Sequence, residues 1–153
     1  MARRSGSPRA DCSTSRFAIR ARVFAAARCL SVDVTHAAHP NSLEKHDPGH
    51  RALPNQGPAL KVNAIQRYAT DAPGAAAWHR ACRTADVPTQ VFVSKNTVPC
   101  GSTVGPLLST RLGIRTVDVG IPVLSMHSAR ELCGVADPAF LRGAAAAFLS
   151  DPV

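Results

Sequence analysis

Residues 30–41 read LSVDVTHAAHPN. The first five, LSVDV, form a short run dominated by apolar residues, the length of a buried strand. The chain then turns polar: Asp33 sits at the end of the run, and His36 and His39 follow it. In open α/β sheets, ligand-binding and catalytic side chains gather where strands run out into loops. One carboxylate and two imidazoles therefore stand at a candidate site mouth.

The surroundings set the fold class. FAIRARVFAAARC (17–29) is Ala-rich with helical apolar spacing. LKVNA (60–64), TQVFVS (89–94) and IRTVDVG (114–120) read as further strands. Between them, residues 73–85 read as a helix with Pro73 and Gly74 near its start, and Pro106 opens a helix that ends at Gly113. SMHSARELC (125–133) reads as a short helix or turn-helix, and Asp137 as the cap of a last helix with Pro138 at its first position. Strands alternating with helices predict a layered α/β sheet. The segment 35–59 is a long loop rich in His and Pro, and loops of that length inside compact domains usually carry function or stay disordered.

Composition narrows the function. The chain has 153 residues, 45% apolar and 18% charged, the size of one domain and neither a polar tail nor a membrane protein. No apolar run approaches the roughly 20 residues that span a bilayer. The net charge of +8 invites a nucleic-acid reading until it is located. Residues 1–28 hold seven Arg and one Asp, whereas residues 29–153 hold eleven Lys and Arg against nine acids. The excess belongs to the N-terminal stretch. Seven aromatic residues leave little for stacking bases, and no reader motif is present. Neither nucleic acid nor membrane is expected as a partner. Residues 1–16, rich in Arg and Ser, read as a disordered basic tail, with an organelle transit peptide as the alternative. Cys12, Cys29, Cys82, Cys100 and Cys133 are odd in number and contain no C-x-x-C pair. That disfavours a disulfide framework or a thiolate zinc site and suits free thiols in a reducing cytoplasm.

Four further groups have chemistry available. Carboxylate and imidazole are standard zinc ligands, so Asp33 with the two following histidines allows a metal role, although D-x-x-H-x-x-H is no unique motif and a polar, turn-capping loop is the plain alternative. His127 is another imidazole near a strand terminus. CGSTVGP (100–106) is either an anion-cradling turn at a helix N-terminus or a close-packed structural turn; it lacks the Lys-Ser/Thr ending of a Walker motif. Lys61 in KVNAIQRY is a point charge able to bind a carboxylate, with Tyr68 seven residues on.

Taken in order, LSVDVTHAAHPN, KVNAIQRYAT, VPCGSTVGPLLSTRLGIRTVDVG and LSMHSARELCG resemble the C-terminal part of aspartyl aminopeptidases, dinuclear zinc exopeptidases that remove acidic residues from peptide N-termini. The resemblance runs from about Phe24 to about Leu149. It implies a zinc-exopeptidase sheet lacking its N-terminal strands and inserted domain, with residues 17–153 as the C-terminal portion of a catalytic domain. It implies zinc ligation by Asp33 on one ion and by His127 on the other. His36, Lys61 and Tyr68 would contact the peptide substrate, His39 would line the site, and CGSTVGP would shape a wall. A homo-oligomer is implied as well. Two positions depart from the family pattern: Ser42 stands where Tyr is usual, and Ile65 where Asn is expected. The family's first His ligand, bridging Asp, Glu general base and neighbouring Glu ligand have no counterpart here. The expectation is a cytoplasmic zinc metalloaminopeptidase acting on N-terminal Asp or Glu, represented by a truncated chain inactive alone. The alternative is a non-catalytic interaction or assembly module derived from the same family.

Overall fold

The computed structural model describes residues 12–151. Helix α1 (Cys12–Ala26) starts inside the stretch read as a tail; residues 1–11 of that expectation lie outside the described residues. Phe17, Ile19 and Val23 project from α1 into solvent. Strand β1 (Arg28–His36) begins two residues before the apolar run and ends two after it. A tertiary contact explains the early start. The Arg28 guanidinium donates to the Asp151 carboxylate at 3.1 Å and to its carbonyl at 2.9 Å, and lies 5.6 Å from the Phe148 ring centroid. The first residue of β1 is thereby pinned to the far end of the chain.

The remaining elements are β2 (Ala59–Val62), α2 (Ala72–Thr84), β3 (Gln90–Val93), α3 (Gly105–Leu112), β4 (Arg115–Leu124), β5 (Leu132–Cys133) and α4 (Asp137–Ser150). The sheet order is β1-β4-β2-β3, with β5 on β4. β1 and β4 run parallel, as do β2 and β3, while β2 meets β4 antiparallel. The layered α/β expectation holds, in a mixed sheet. β1 pairs with β4 alone among the described strands, so it is an edge strand, and Val32 is 50% exposed rather than buried.

The register sorts the side chains into two faces, because successive residues of a strand point to opposite sides. Asp33 aligns with Gly120, Gly120 with Ala59, and Ala59 with Gln90. One face therefore carries Leu30, Leu60, Val117 and Val119. Helices α2 and α4 cover it with Ala77, Trp78, Ala81, Cys82, Ala144 and Phe148. Trp78 is wholly buried, and its indole N–H donates to Thr89 Oγ1 at 3.1 Å, so no polar atom is stranded. Each large apolar side chain buried here contributes about 1.5–3 kcal/mol. Asp71 caps α2 by accepting the Gly74 N–H at 2.7 Å, with Pro73 in the first turn.

The other face carries Ser31, Asp33, Ala59, Lys61, Phe92, Asp118 and Gly120. A small apolar cluster of Ala52, Ala59, Tyr68 and Phe92 covers part of it. Of the rest, Asp33 is exposed, whereas Ser31, Lys61 and Asp118 are buried.

Two local expectations change. Residues 125–131 are a turn rather than a helix, followed by the two-residue β5, with left-handed backbone at Ser125 and His127. Asp137 does not cap α4 from outside; it is the helix's first residue, and Ala136 holds the cap position. Its fully buried carboxylate accepts the N–H groups of Asn55 (2.9 Å), Gly57 (3.2 Å) and Gly134 (3.2 Å). The side chain binds a distant turn, which local capping rules do not foresee. The long 35–59 loop contains one 3-10 helix, Pro40–Lys45, and an isolated bridge from His46 to Ser94 ties its middle to the end of β3.

Candidate functional site

The polar face of the sheet forms one wall of a cleft of about 280 Å³. Asp33, His36, Lys61, Tyr68 and His127 all border it. Five residues spread over 95 positions of sequence are brought together by two strands and two loops.

Asp33 is three residues short of the end of β1, not at its terminus. It faces the cleft by strand parity, and its side chain is 52% exposed. Lys61 stands on β2, so its side chain must cross β4 to reach Asp33. Gly120 makes the crossing possible: a Cβ there would sit 3.1 Å from Lys61 Cε and 2.8 Å from the Asp33 carbonyl. The Lys61 ammonium ends 3.2 Å from Asp33 Oδ2 and 5.3 Å from the Tyr68 ring centroid. A buried ammonium is thus held by one carboxylate and one aromatic face.

Tyr68 is buried, and its hydroxyl accepts from the Cys100 thiol at 3.5 Å. Burial, then the contact with Cys100, pushes the phenol well above its usual value, so it remains protonated. His36 lies at the end of β1. Burial lowers its pKa, helped by the nearby His127 and Lys61, so its imidazole is neutral at pH 7. His127 is exposed, in left-handed backbone (φ 68°), and its own N–H donates to Glu131 Oε1 at 2.6 Å. A non-Gly residue in that region is uncommon; here the turn and the Glu131 bond hold it at the cleft edge.

His39 is not brought into the cleft. Its Nδ1 accepts the Asn41 N–H at 3.1 Å and caps the 3-10 helix. The CGSTVGP segment resolves toward the close-packed reading. Ser102 Oγ donates to the Arg67 carbonyl at 3.1 Å, and a Cβ on Gly105 would overlap the Asp118 carboxylate. That carboxylate, fully buried, accepts the Ala69 N–H at 2.6 Å. An acid against the turn opposes anion binding there. Cys100 to Thr103 still form a wall of the cleft.

Several cleft residues escaped sequence reasoning. Lys45, His46, Ser94 and Lys95 also line the cleft, and Thr35 and Thr103 present buried hydroxyls with no partner among the described residues. Lys45 and His46 lie in a loop whose position is set by the bridge to Ser94, a contact without a local signal.

The donor set bears on metal binding. Asp33 and His127 supply one donor each, whereas a zinc ion takes three or four protein ligands. Among the described residues no group of three His, Cys, Asp or Glu is placed to hold an ion. The residues present do not by themselves make a zinc site.

Residues 9–149 match the family model described as Aminopeptidase I zinc metalloprotease (M18). The chain belongs to the M18 peptidases. The match starts well before the four motifs and includes α1. A probable M18 family aminopeptidase 2 of Streptomyces coelicolor is 57% identical over 130 residues, which are 85% of this chain and 30% of that protein. Aspartyl aminopeptidase 4 of Saccharomyces cerevisiae is 52% identical over 111 residues, 72% of this chain and 23% of that one. Among solved structures, the complex of Ape4 and Nbr1 contains a chain that superposes with a TM-score of 0.84 at 39% identity, covering 86% of this chain and 25% of that one. prApe1 superposes at 0.81 and 34%, covering 90% and 30%. The chain thus spans less than a third of the length of these relatives. The family is one of zinc metalloproteases, and named relatives are aspartyl aminopeptidases. No described helix is long and apolar enough to cross a membrane.

Proposed function

We propose that this chain forms the C-terminal share of an aminopeptidase catalytic site that takes peptides with an acidic N-terminal residue. One observation carries the reading: Asp33, His36, Lys61, Tyr68 and His127 border a single cleft. In this reading Asp33 and His127 each donate to one of two zinc ions, and His36, Lys61 and Tyr68 touch the substrate.

Lys61 accounts for acidic selectivity in physical terms. Its ammonium has three donors, of which one goes to Asp33. The others are available to a substrate carboxylate at a site where burial strengthens the attraction. The protonated Tyr68 hydroxyl supplies a hydrogen bond donor, and neutral His36 can accept or donate without adding charge. The donors among the described residues fall short of a complete metal site.

The chain alone is expected to be inactive. The assay is release of Asp from an aspartyl peptide by the purified chain with added zinc. Turnover near that of a full-length relative would refute the partial-site reading. Equilibrium dialysis tests the ligand assignment: zinc uptake should be weak and should fall further in Asp33→Asn and in His127→Gln. Uptake unchanged by both substitutions removes these residues from the ligand set. A yeast neighbour is a dodecamer, and self-association of the complete site-bearing protein is part of the same proposal.

A further inference from the structure

We infer that the cleft has a second anion-binding subsite, built by Lys45, His46 and Lys95, which takes the carboxylate of an acidic residue following the N-terminal one. The inference rests on the peptide-binding reading above and extends it to the next substrate position.

The first support is placement. Asp33, His36, Lys61 and His127 come from β1, β2 and the turn after β4, whereas Lys45, His46 and Lys95 come from the end of the 3-10 helix and the residues just past β3. These two segments are fastened together twice. His46 bridges Ser94, and the Lys95 ammonium donates to the Glu44 carbonyl at 2.6 Å. The lysines therefore sit on a tied corner rather than on separate loose loops.

The second support is charge. The cleft lining contains three lysines and one carboxylate. That carboxylate, Asp33, is engaged by Lys61. Neither Lys45 nor Lys95 forms an ion pair with any described acid. Lys95 is anchored through a carbonyl, which leaves its charge uncompensated and two of its donors available. Burial, helped by nearby His36 and Arg51, lowers the His46 pKa, so near pH 7 it offers a hydrogen bond without further repulsion.

The third support is room and unsatisfied polarity. A cleft of about 280 Å³ is close to the roughly 300 Å³ lower bound for small-ligand sites, enough for more than one acidic side chain. Thr35 Oγ1 and Thr103 Oγ1 are buried along it without partners among the described residues. Such groups call for a polar occupant.

The test is calorimetric titration of the full 153-residue chain with three peptides whose C-termini are amidated, so that only side-chain carboxylates differ. The peptides are Asp-Asp-amide, Asp-Ala-amide and Ala-Ala-amide. Asp-Asp-amide is expected to bind about tenfold more tightly than Asp-Ala-amide, and raised salt should shrink the gap. In the Lys45→Gln/Lys95→Gln variant the gap should fall below about twofold while Asp-Ala-amide keeps its affinity. Equal binding of the two acidic peptides, or a gap that survives the double substitution, overturns the subsite and leaves the N-terminal reading standing. If neither acidic peptide outbinds Ala-Ala-amide, both proposals fall together.

Discussion

Removing the buried half of the Asp33–Lys61 pair should cost less stability than removing its exposed half. Lys61 is 3% exposed, whereas the Asp33 side chain is 52% exposed. At 3.2 Å and an effective dielectric of about 20, their attraction is about 5 kcal/mol. Burying the ammonium costs several kcal/mol, so most of that attraction is consumed by desolvation. Lys61→Met removes both quantities. It leaves an unbranched apolar chain over Gly120 and a carboxylate that water already reaches. The expected change is within about 1 kcal/mol. Asp33→Asn instead leaves the ammonium buried, held by a neutral amide and the Tyr68 ring. Its expected cost is about 2 kcal/mol, below the roughly 3–5 kcal/mol of a fully buried broken pair because Asp33 is half solvated. Urea unfolding monitored by Trp78 fluorescence measures both, compared at constant m-value. In Asp33→Asn/Lys61→Met the loss should return to that of Lys61→Met alone. A larger loss in Lys61→Met than in Asp33→Asn would refute the argument, since it would make the pair a net source of stability.

Three other outcomes follow from the same structure. His36 and His46 should titrate below 6.5 in proton NMR, His36 chiefly from burial with help from His127 and Lys61, and His46 chiefly from burial with help from His36 and Arg51. Because the unfolded chain takes up these protons first, their stabilising contribution is whole above about pH 6.5 and is lost as the pH falls through the folded values; Lys61→Met should move the His36 midpoint upward. Asp137→Ala should lose about 3 kcal/mol in urea unfolding, because three backbone N–H groups lose a buried acceptor; a loss under 1 kcal/mol contradicts that accounting. Gly120→Ala should cost about 2 kcal/mol by overpacking, with its Cβ 2.8 Å from the Asp33 carbonyl, and should shift the Lys61 side-chain NMR signals; unchanged signals would mean that Lys61 does not cross β4 at this point.

Much of the fold was legible because its signals are local. Apolar runs marked the cores of β1, β3 and β4, Pro73 and Pro106 marked helix starts, and Gly113 with its φ of 67° ended α3 as read. Two of the misreadings share one cause, a long-range contact overriding a local preference; the third is local. Arg28 was read into a helix, but its bonds to Asp151 carry it into β1. Asp137 has the sequence context of a cap, but its carboxylate satisfies N–H groups some 80 residues away. The 125–133 segment has helical composition, but two left-handed residues and the His127–Glu131 bond turn it sharply.

The candidate site divides in the same way. Residue identity already singled out Asp33, His36, Lys61, Tyr68 and His127 by resemblance, because motif chemistry is written in short spacings. Their meeting at one cleft is a property of sheet order: β4, late in the chain, inserts between β1 and β2, and Gly120 in its middle lets a lysine reach across it. The exclusion of His39 and the recruitment of His46 and Lys95 depend on how one loop folds back against β3. Short-range pattern therefore determined which side chains and elements this protein has to work with. Pairing between strands distant in sequence decided which of those side chains face each other, since register is a cooperative property of the whole sheet rather than of any one segment.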